Sequence, residues 1–350
     1  MPTISWDHGT AYDFFISLVV LHQAATFGLR PSWAAGVRQR LSPPHRDFLE
    51  RIYSFSGTGL DWVCSLPQPK DADDVLHRIA QLDPARRLDI MLPAEIPVSV
   101  RDILNTISER GSALRTEREF LKTSYPRRHT SLTPAALDSL VQTWVNPGES
   151  GEQLLAALQE YQRVFFSEEE QRLRPVLETG LTAARGQAEQ MTVDALIESL
   201  SRGVRLGNID TVSALILAPS FWASPLVFHL RIDPEKTLIV FGVRSSLQGI
   251  VPGANAPDLL MTTLKALADP TRLRILRLLQ QEPYSTTELA HQLRLRPPTV
   301  IHHLQALRLA GLVQITISEN NERGYAPRLE ALGEFNRTLQ DFLTGQDTDE

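Results

Sequence analysis

Arg294, Arg296, Thr299 and His302 stand close together in a chain of 350 residues, and Arg323 follows in a polar turn. Guanidinium and hydroxyl groups in such a pattern suit the binding of phosphate. Arg296 and Thr299 flank the start of a helix announced by Pro297 and Pro298, where backbone N–H groups and the helix dipole attract anions. Arg294 sits in the preceding turn, as a phosphate contact or as a solvated turn arginine. Arg323 ends the short polar run SENNER, from which it could reach a nucleic-acid backbone or a narrow minor groove. Glu319 and Glu322 beside it argue against a strong grip on phosphate.

Other chemistries find less support. His8, His22, His45, His77, His129 and His229 are scattered, with no H-E-x-x-H spacing. There is no G-x-S-x-G elbow and no phosphate-binding glycine loop. Gly57-Thr58-Gly59 lacks the third glycine and preceding strand of a dinucleotide fingerprint, so it reads as a turn. Cys64 is the single cysteine, which excludes an internal disulfide or a thiolate cluster and fits a reducing compartment. Beside Trp62 and Val63 it reads as a packed thiol. No catalytic residue, cofactor or metal ligand is assigned, and no enzyme is expected.

The elements that must position the cationic cluster are legible. Leu264, Leu267 and Ala268, then Leu273, Leu276 and Leu279, then Leu289 and Leu293, and finally Val300, Leu304 and Leu307 recur at helical spacing. Asp269-Pro270 suits an N-cap and first helical position. Ser285 and Glu288 form a capping box. Gly311 ends the helix opened by Pro297 and Pro298. Only Arg294, Leu295 and Arg296 separate Leu293 from Pro297, which is turn length for two crossing helices. From Gln314 the pattern changes to strand-like alternation around a polar turn. His302 and His303 lie about 100° apart on a helix. His303 falls on the apolar stripe and reads as half-buried packing, whereas His302 points away from it.

These residues carry a resemblance. ALADPTRLRILRLL, followed by ELAHQLRLRPPTVIHHLQALRLAGLV and a wing ending near Leu329, resembles the ArsR-type (arsenic-repressor-like) winged helix-turn-helix regulators. The resemblance implies a dimeric head that binds double-stranded DNA, with a recognition helix over 297–310 entering the major groove. The family's groove-facing positions fall on Pro297, Pro298, Ile301 and His302. The family usually has small or amide side chains at the first three. Ile301 could meet a thymine methyl, or mark an altered readout. The family's thiolate metal site would lie near Ser285, where 284–289 holds no cysteine. Its other site would use the C-terminal helix, where Glu330, Glu334 and Asp341 are present without a histidine. Metal-independent regulation is expected.

The charge divides in keeping with a DNA-binding head. Residues 259–330 hold nine Lys/Arg against six Asp/Glu, whereas 1–257 hold 25 against 29, within an overall charge of −6. Phosphate neutralisation dominates DNA affinity, so an acidic body helps to orient the head. No signal peptide stands out at the N-terminus, and the longest apolar stretch, 14–21, is far short of the roughly 20 residues that span a bilayer. A cytoplasmic protein without membrane contact is expected.

The expected fold is mainly α (α+β). A large helical N-terminal domain, 1–250, ends in a small β element near 204–243; a linker follows at 251–258, then a winged helix-turn-helix with a C-terminal helix at 259–350. Helices are expected over 12–26, 32–41, 43–55, 71–82, 84–92, 97–109, 113–124, 133–145 and 192–201. A longer one over 149–190 is expected to be interrupted near Ser167 and at Pro175. Strands are expected at 211–218, 226–232 and 238–243, the last two as a hairpin. Residues 161–181 and 217–228 resemble, more loosely, the uncharacterised N-terminal regions of some regulators of this family, which implies sensing or dimerisation. Trp6, Phe14, Phe15, Phe27, Trp33, Trp62, Phe165, Phe166, Phe221 and Trp222 could line a site for a small apolar effector or simply form core. Leu332, Phe335, Leu339 and Phe342 offer a homodimer seam or a dock onto the body. The alternative function is an interaction module that keeps the winged fold without reading DNA.

Overall fold

The computed structural model describes residues 2–126, 132–207, 209, 212–244, 258–317 and 323–344. The chain opens with β1 (Thr3–Trp6) and α1 (Thr10–His22). Helix α1 is buried from Thr10 to Leu21, because its apolar run leaves no face for water. Around it lie α2 (Pro31–Arg38), α3 (Pro43–Tyr53), α4 (Leu60–Ser65), α5 (Ala72–Gln81), a 3-10 helix (Pro84–Met91), α6 (Val98–Arg110), α7 (Arg115–Ser124) and α8 (Pro134–Val145). Then come α9 (Pro147–Tyr161), a π-helical turn (Gln162–Phe166), α10 (Ser167–Ala188) and α11 (Val193–Leu200). Strands β2 (Val204–Leu206), β3 (Ala214–Ser220), β4 (Val227–Arg231) and β5 (Lys236–Gly242) end this body. The C-terminal part contains α12 (Asp258–Leu267), α13 (Pro270–Leu279), β6 (Tyr284–Ser285), α14 (Thr286–Leu293), α15 (Pro297–Leu309), β7 (Val313–Ile317), β8 (Arg323–Pro327) and α16 (Glu330–Thr344).

Several elements differ from expectation. Strand β1 was not foreseen; it pairs in parallel with β3, Thr3 opposite Ala214 and Trp6 opposite Leu217, in a sheet of order β1-β3-β5-β4. Pro219 does not end β3, because β1 has already stopped opposite Leu217 and only β5 still pairs at that level. The loop-rich passage around Trp62 and Cys64 contains α4, whose Leu60 and Val63 are fully buried. Pro175 does not interrupt the long helix, and the break expected near Ser167 takes the form of a π-helical turn just before it, not of a cap at Ser167. The π-helical turn joins α9 to α10 without a cap, and Pro175 lies on the exposed side of α10, where an unpaired carbonyl reaches water, while Leu173 and Leu177 are buried. Gly151 is required within α9, since a Cβ there would lie 1.8 Å from the Pro84 carbonyl oxygen. The hairpin across Asp233 and Pro234 is present as β4 and β5. The proposed linker lies almost wholly in 245–257, outside the described residues.

The carboxyl ends of β1 and β3, a common place for ligands in parallel sheets, are filled by the chain's own polar groups. Lys70, 4% exposed, pairs with Asp7 and donates to the Cys64 carbonyl at 2.9 Å. Tyr12 donates its hydroxyl to the same Asp7 carboxylate. Glu170 accepts from the Thr10 hydroxyl, the Ala72 N–H, Gln162 and Arg174. Asp13, fully buried, accepts from the Ser220 hydroxyl (2.6 Å) and from the Phe221 and Trp222 N–H groups (3.2 and 2.8 Å).

Burial pushes the Asp13 carboxyl up to about 6 despite those donors. Its folded value lies above its unfolded one, so between about pH 4 and pH 6 the folded state holds the extra proton and stability falls as pH rises. The displacement corresponds to about 3 kcal/mol. About 2 kcal/mol of this falls between pH 4.5 and 7, so relative to Asp13→Asn, whose side chain does not titrate, the wild type should lose roughly 4–8 °C of Tm over that range. Parallel melting of the two proteins checks this, and a constant gap would refute it.

The second sheet has the order β2-β7-β8-β6. Strand β2, expected to belong with the body's β element, instead pairs in parallel with β7, Val204 opposite Ile315 and Leu206 opposite Ile317. The C-terminal core gathers Ile275, Leu279, Leu289, Leu293, Val300, Leu304, Leu307, Leu312 and Val313.

Candidate nucleic-acid interface

Helix α14 begins as its sequence dictates. The Ser285 N–H donates to Glu288 at 2.7 Å and the Glu288 N–H donates to the Ser285 hydroxyl at 3.3 Å. It ends at Arg294, which is left-handed with φ 55°, while the Leu295 N–H returns to the Ala290 carbonyl. A left-handed arginine costs about 1–2 kcal/mol relative to glycine. Arginine in a place that glycine fits better directs attention to its guanidinium.

Helix α15 starts at Pro297 and Pro298 after Arg296. Its apolar stripe, Val300, Leu304 and Leu307, is buried to 1% or less. Pro298, Ile301, His302 and Gln305 occupy the opposite face and are exposed, Ile301 to 53%. Gln305 escaped the sequence reading, although its place at i+4 from Ile301 and i+3 from His302 was the available signal. A glutamine there has the geometry to pair with adenine in a major groove.

The expected anion site at the helix start changes in character. Pro297 and Pro298 have no N–H, and the Thr299 N–H is turned onto the Arg296 carbonyl at 3.0 Å. The helix dipole, the Arg296 guanidinium and the Thr299 hydroxyl remain to meet a phosphate, with little contribution from backbone donors. Arg294, Arg296, Pro297, Pro298 and Thr299 are all exposed. Arg323 opens β8 and is also exposed, while the turn before it, 318–322, lies outside the described residues.

His303 turns inward, its side chain 13% exposed and its Nδ1 3.9 Å from Asp269. Asp269 caps α13 by accepting from the Arg272 N–H at 3.0 Å, and that bond, with the Arg272 and His303 charges, holds its carboxyl below the usual range. The cap of α13 thus faces the inner flank of α15.

Two helices crossing through a short turn, the second packed by one stripe and open on the other, followed by a β-hairpin, define a winged helix-turn-helix, a DNA-binding module. Residues 269–314 match the family model described as bacterial regulatory protein, arsR family. Residues 269–314 thus carry a helix-turn-helix of the ArsR type, and a large N-terminal region lies outside the match. A search of the curated proteins found no match, nor did one of the solved structures.

Among the described residues, no group of three or more His, Cys, Asp or Glu is placed to hold a metal ion, and no helix is long and apolar enough to cross a membrane. Cys64 is half-buried, with its thiol pushed up chiefly by burial. Of the aromatic residues considered for an effector site, Phe14, Phe15, Phe27, Phe165, Phe166, Phe221 and Trp222 are core, whereas Trp33 is half-buried and stacks on Trp222 at 5.3 Å.

Proposed function

We propose that this DNA-binding regulator works as a cytoplasmic, non-enzymatic, metal-independent homodimer whose N-terminal region responds to a small apolar molecule. The division is a body over 1–250, a linker over 251–258 and a DNA-binding head over 259–350. Arg294, Arg296, Thr299 and Arg323 engage phosphate, and Pro297, Pro298, Ile301 and His302 face the groove, joined by Gln305. The observation that carries the reading is α15 itself, with its inner stripe sealed and the outer face of its N-terminal half open. Selection of bound fragments from genomic DNA tests it: enrichment of one sequence supports the reading, and a flat profile at low salt sinks it.

The dimer rests on α16 and α12. Leu332 and Leu343 on α16 are 38% and 73% exposed, Met261 and Leu264 on α12 are 39% and 38% exposed, and the two helices pack side by side. Phe335, Leu339 and Phe342 add to the same apolar surface, half-buried. Isolated exposed leucines are ordinary, but a contiguous apolar patch marks an interface. Sedimentation should show a dimer at micromolar concentration, and Leu332→Glu with Leu343→Glu should dissociate it at least ten-fold more readily. A wild type that sediments as a monomer at tens of micromolar contradicts the dimer. The effector reading draws on Trp33, whose ring stays partly open beside Trp222, an indole whose buried Nε1 has no hydrogen-bond partner among the described residues. Quenching of tryptophan emission by apolar ligands checks it; emission that stays unchanged contradicts it.

A further inference from the structure

The recognition helix is open at its N-terminal half and gripped at its C-terminal half. Arg308 lies two turns beyond Ile301, on nearly the same side of α15, yet is only 6% exposed. Its Nη1 and Nη2 donate to the carbonyls of Arg202 (2.6 Å) and Ser201 (2.9 Å), at the end of α11. The next residue, Leu309, is 8% exposed and lies against Gly28 of the body.

The same stretch of the body holds the wing. Strand β2 adds to the edge of β7, and the Ile315 N–H donates to the Gly203 carbonyl at 2.8 Å. Gly203 has φ 94°, and a Cβ there would lie 2.6 Å from Arg328 Cδ and 3.0 Å from Gln314 Cβ. Arg328 donates to the carbonyl of Gly311, the residue that closes the turn after α15. Arg202, itself left-handed at φ 53°, donates to the Arg244 carbonyl at 3.1 Å, just beyond β5. Residues 201–206 therefore touch the body sheet, the recognition helix and the wing at once.

The charges at this junction are crowded. Burial first, then the neighbouring Arg328 and Arg202, bring the Arg308 guanidinium down to about 10, and burial and Arg328 lower that of Arg202. Arg202 and Arg308 donate to main-chain carbonyls of Arg244, Arg202 and Ser201. Arg328 itself pairs with Glu330 at 3.2 Å and lies 4.0 Å from Glu334, so the like charges at the junction are only partly balanced.

We propose that residues 198–206 are the coupling element of the protein: they fix the C-terminal end of the recognition helix and the wing to the body, so that a change in the body repositions both DNA-contacting parts together. The proposal rests on the DNA-binding reading only for the purpose of the coupling, since the coupling itself is measurable without DNA. By linkage, whatever the body does to DNA affinity, DNA does in return to the body.

The test is hydrogen exchange on the full chain. Arg308→Met keeps an apolar stem and removes both donors, and Gly203→Val displaces β2 from β7 without touching the recognition helix. Both should speed exchange of β7 and of the C-terminal half of α15 at least ten-fold, with β3 and β5 unchanged. Operator affinity should shift at least five-fold in both, although neither position faces the groove. Exchange that matches the wild type in both variants overturns the proposal, as does acceleration that includes β3 and β5, which would mark the contact as general packing. If the wild type binds no DNA while the exchange pattern holds, the coupling stands and the DNA reading falls.

Discussion

Arg294→Gly combined with Arg296→Ala is expected to weaken DNA binding roughly 60-fold at 0.1 M salt, because each phosphate neutralised changes log K by about 0.9 per decade of salt. The slope of log K against log salt should fall by about two, while the order of preference among sequences stays the same. The choice of glycine at 294 separates binding from folding. Arg294 is left-handed, so glycine relieves the turn and should raise the stability of the head by about 1 kcal/mol. Loss of affinity from a head that melts no lower can only come from the missing charges. His302→Ala and Gln305→Ala should behave in the opposite way: sequence preference relaxes by about 1–3 kcal/mol at one base pair while the salt slope holds. Anisotropy titrations at several salt concentrations measure all of these quantities, and an unchanged slope in the double arginine variant would remove Arg294 and Arg296 from the interface.

The helices of the head were legible because what sets their bounds and buried faces is local. The caps at Asp269 and Ser285, the prolines at 297 and 298 and the stripe of Val300, Leu304 and Leu307 each act within one helical turn of their own position. Each recurs in the structure where the spacing places it. What failed was non-local. Strand β1 is four residues long, and its partner Ala214 lies more than two hundred positions away, so no window of sequence contains the pair. Strand β2 is shorter still, and its partner, β7, belongs to another part of the chain. Pro175 and Pro219 were over-read for a related reason. A proline ends an element only where its missing donor has to be replaced, and that depends on which neighbour stands opposite.

The same distinction explains the interface. Which residues of α15 face outward follows from a 3.6-residue period, so His302 could be told from His303. That Arg308 is covered does not follow, because the covering atoms are main-chain carbonyls of residues 201 and 202, and a carbonyl leaves no mark in the sequence. An arginine on the outer side of a recognition helix reads as a phosphate contact until its surroundings are known. Similarly, the twin prolines announce the helix start correctly but take away the N–H groups that such a start normally offers.

Lys70→Met is expected to lower the Tm of the body by roughly 6–12 °C, the equivalent of about 3 kcal/mol. Lys70 is 4% exposed and Asp7 13% exposed, so removal of the ammonium leaves a carboxylate that water reaches only in part. The Tyr12 hydroxyl and the Gln68 amide still donate to Asp7, which places the loss at the lower end of the range for a broken buried pair. The geometry around the pair rules out easy relaxation. The Lys70 carbonyl accepts from the Ala11 N–H at the start of α1, and Gly9 approaches so closely that a Cβ would lie 2.2 Å from that oxygen. The corner between β1 and α1 is therefore fixed on both sides of the charge. Asp7→Asn in the Lys70→Met background should restore more than half of the lost Tm, because the residual cost is the unpaired charge and not the missing side chain. Thermal melts of the single and double variants decide the matter: a fall below about 2 °C in the single variant, or no recovery in the double, would show that packing of the lysine stem and not its charge holds this corner together.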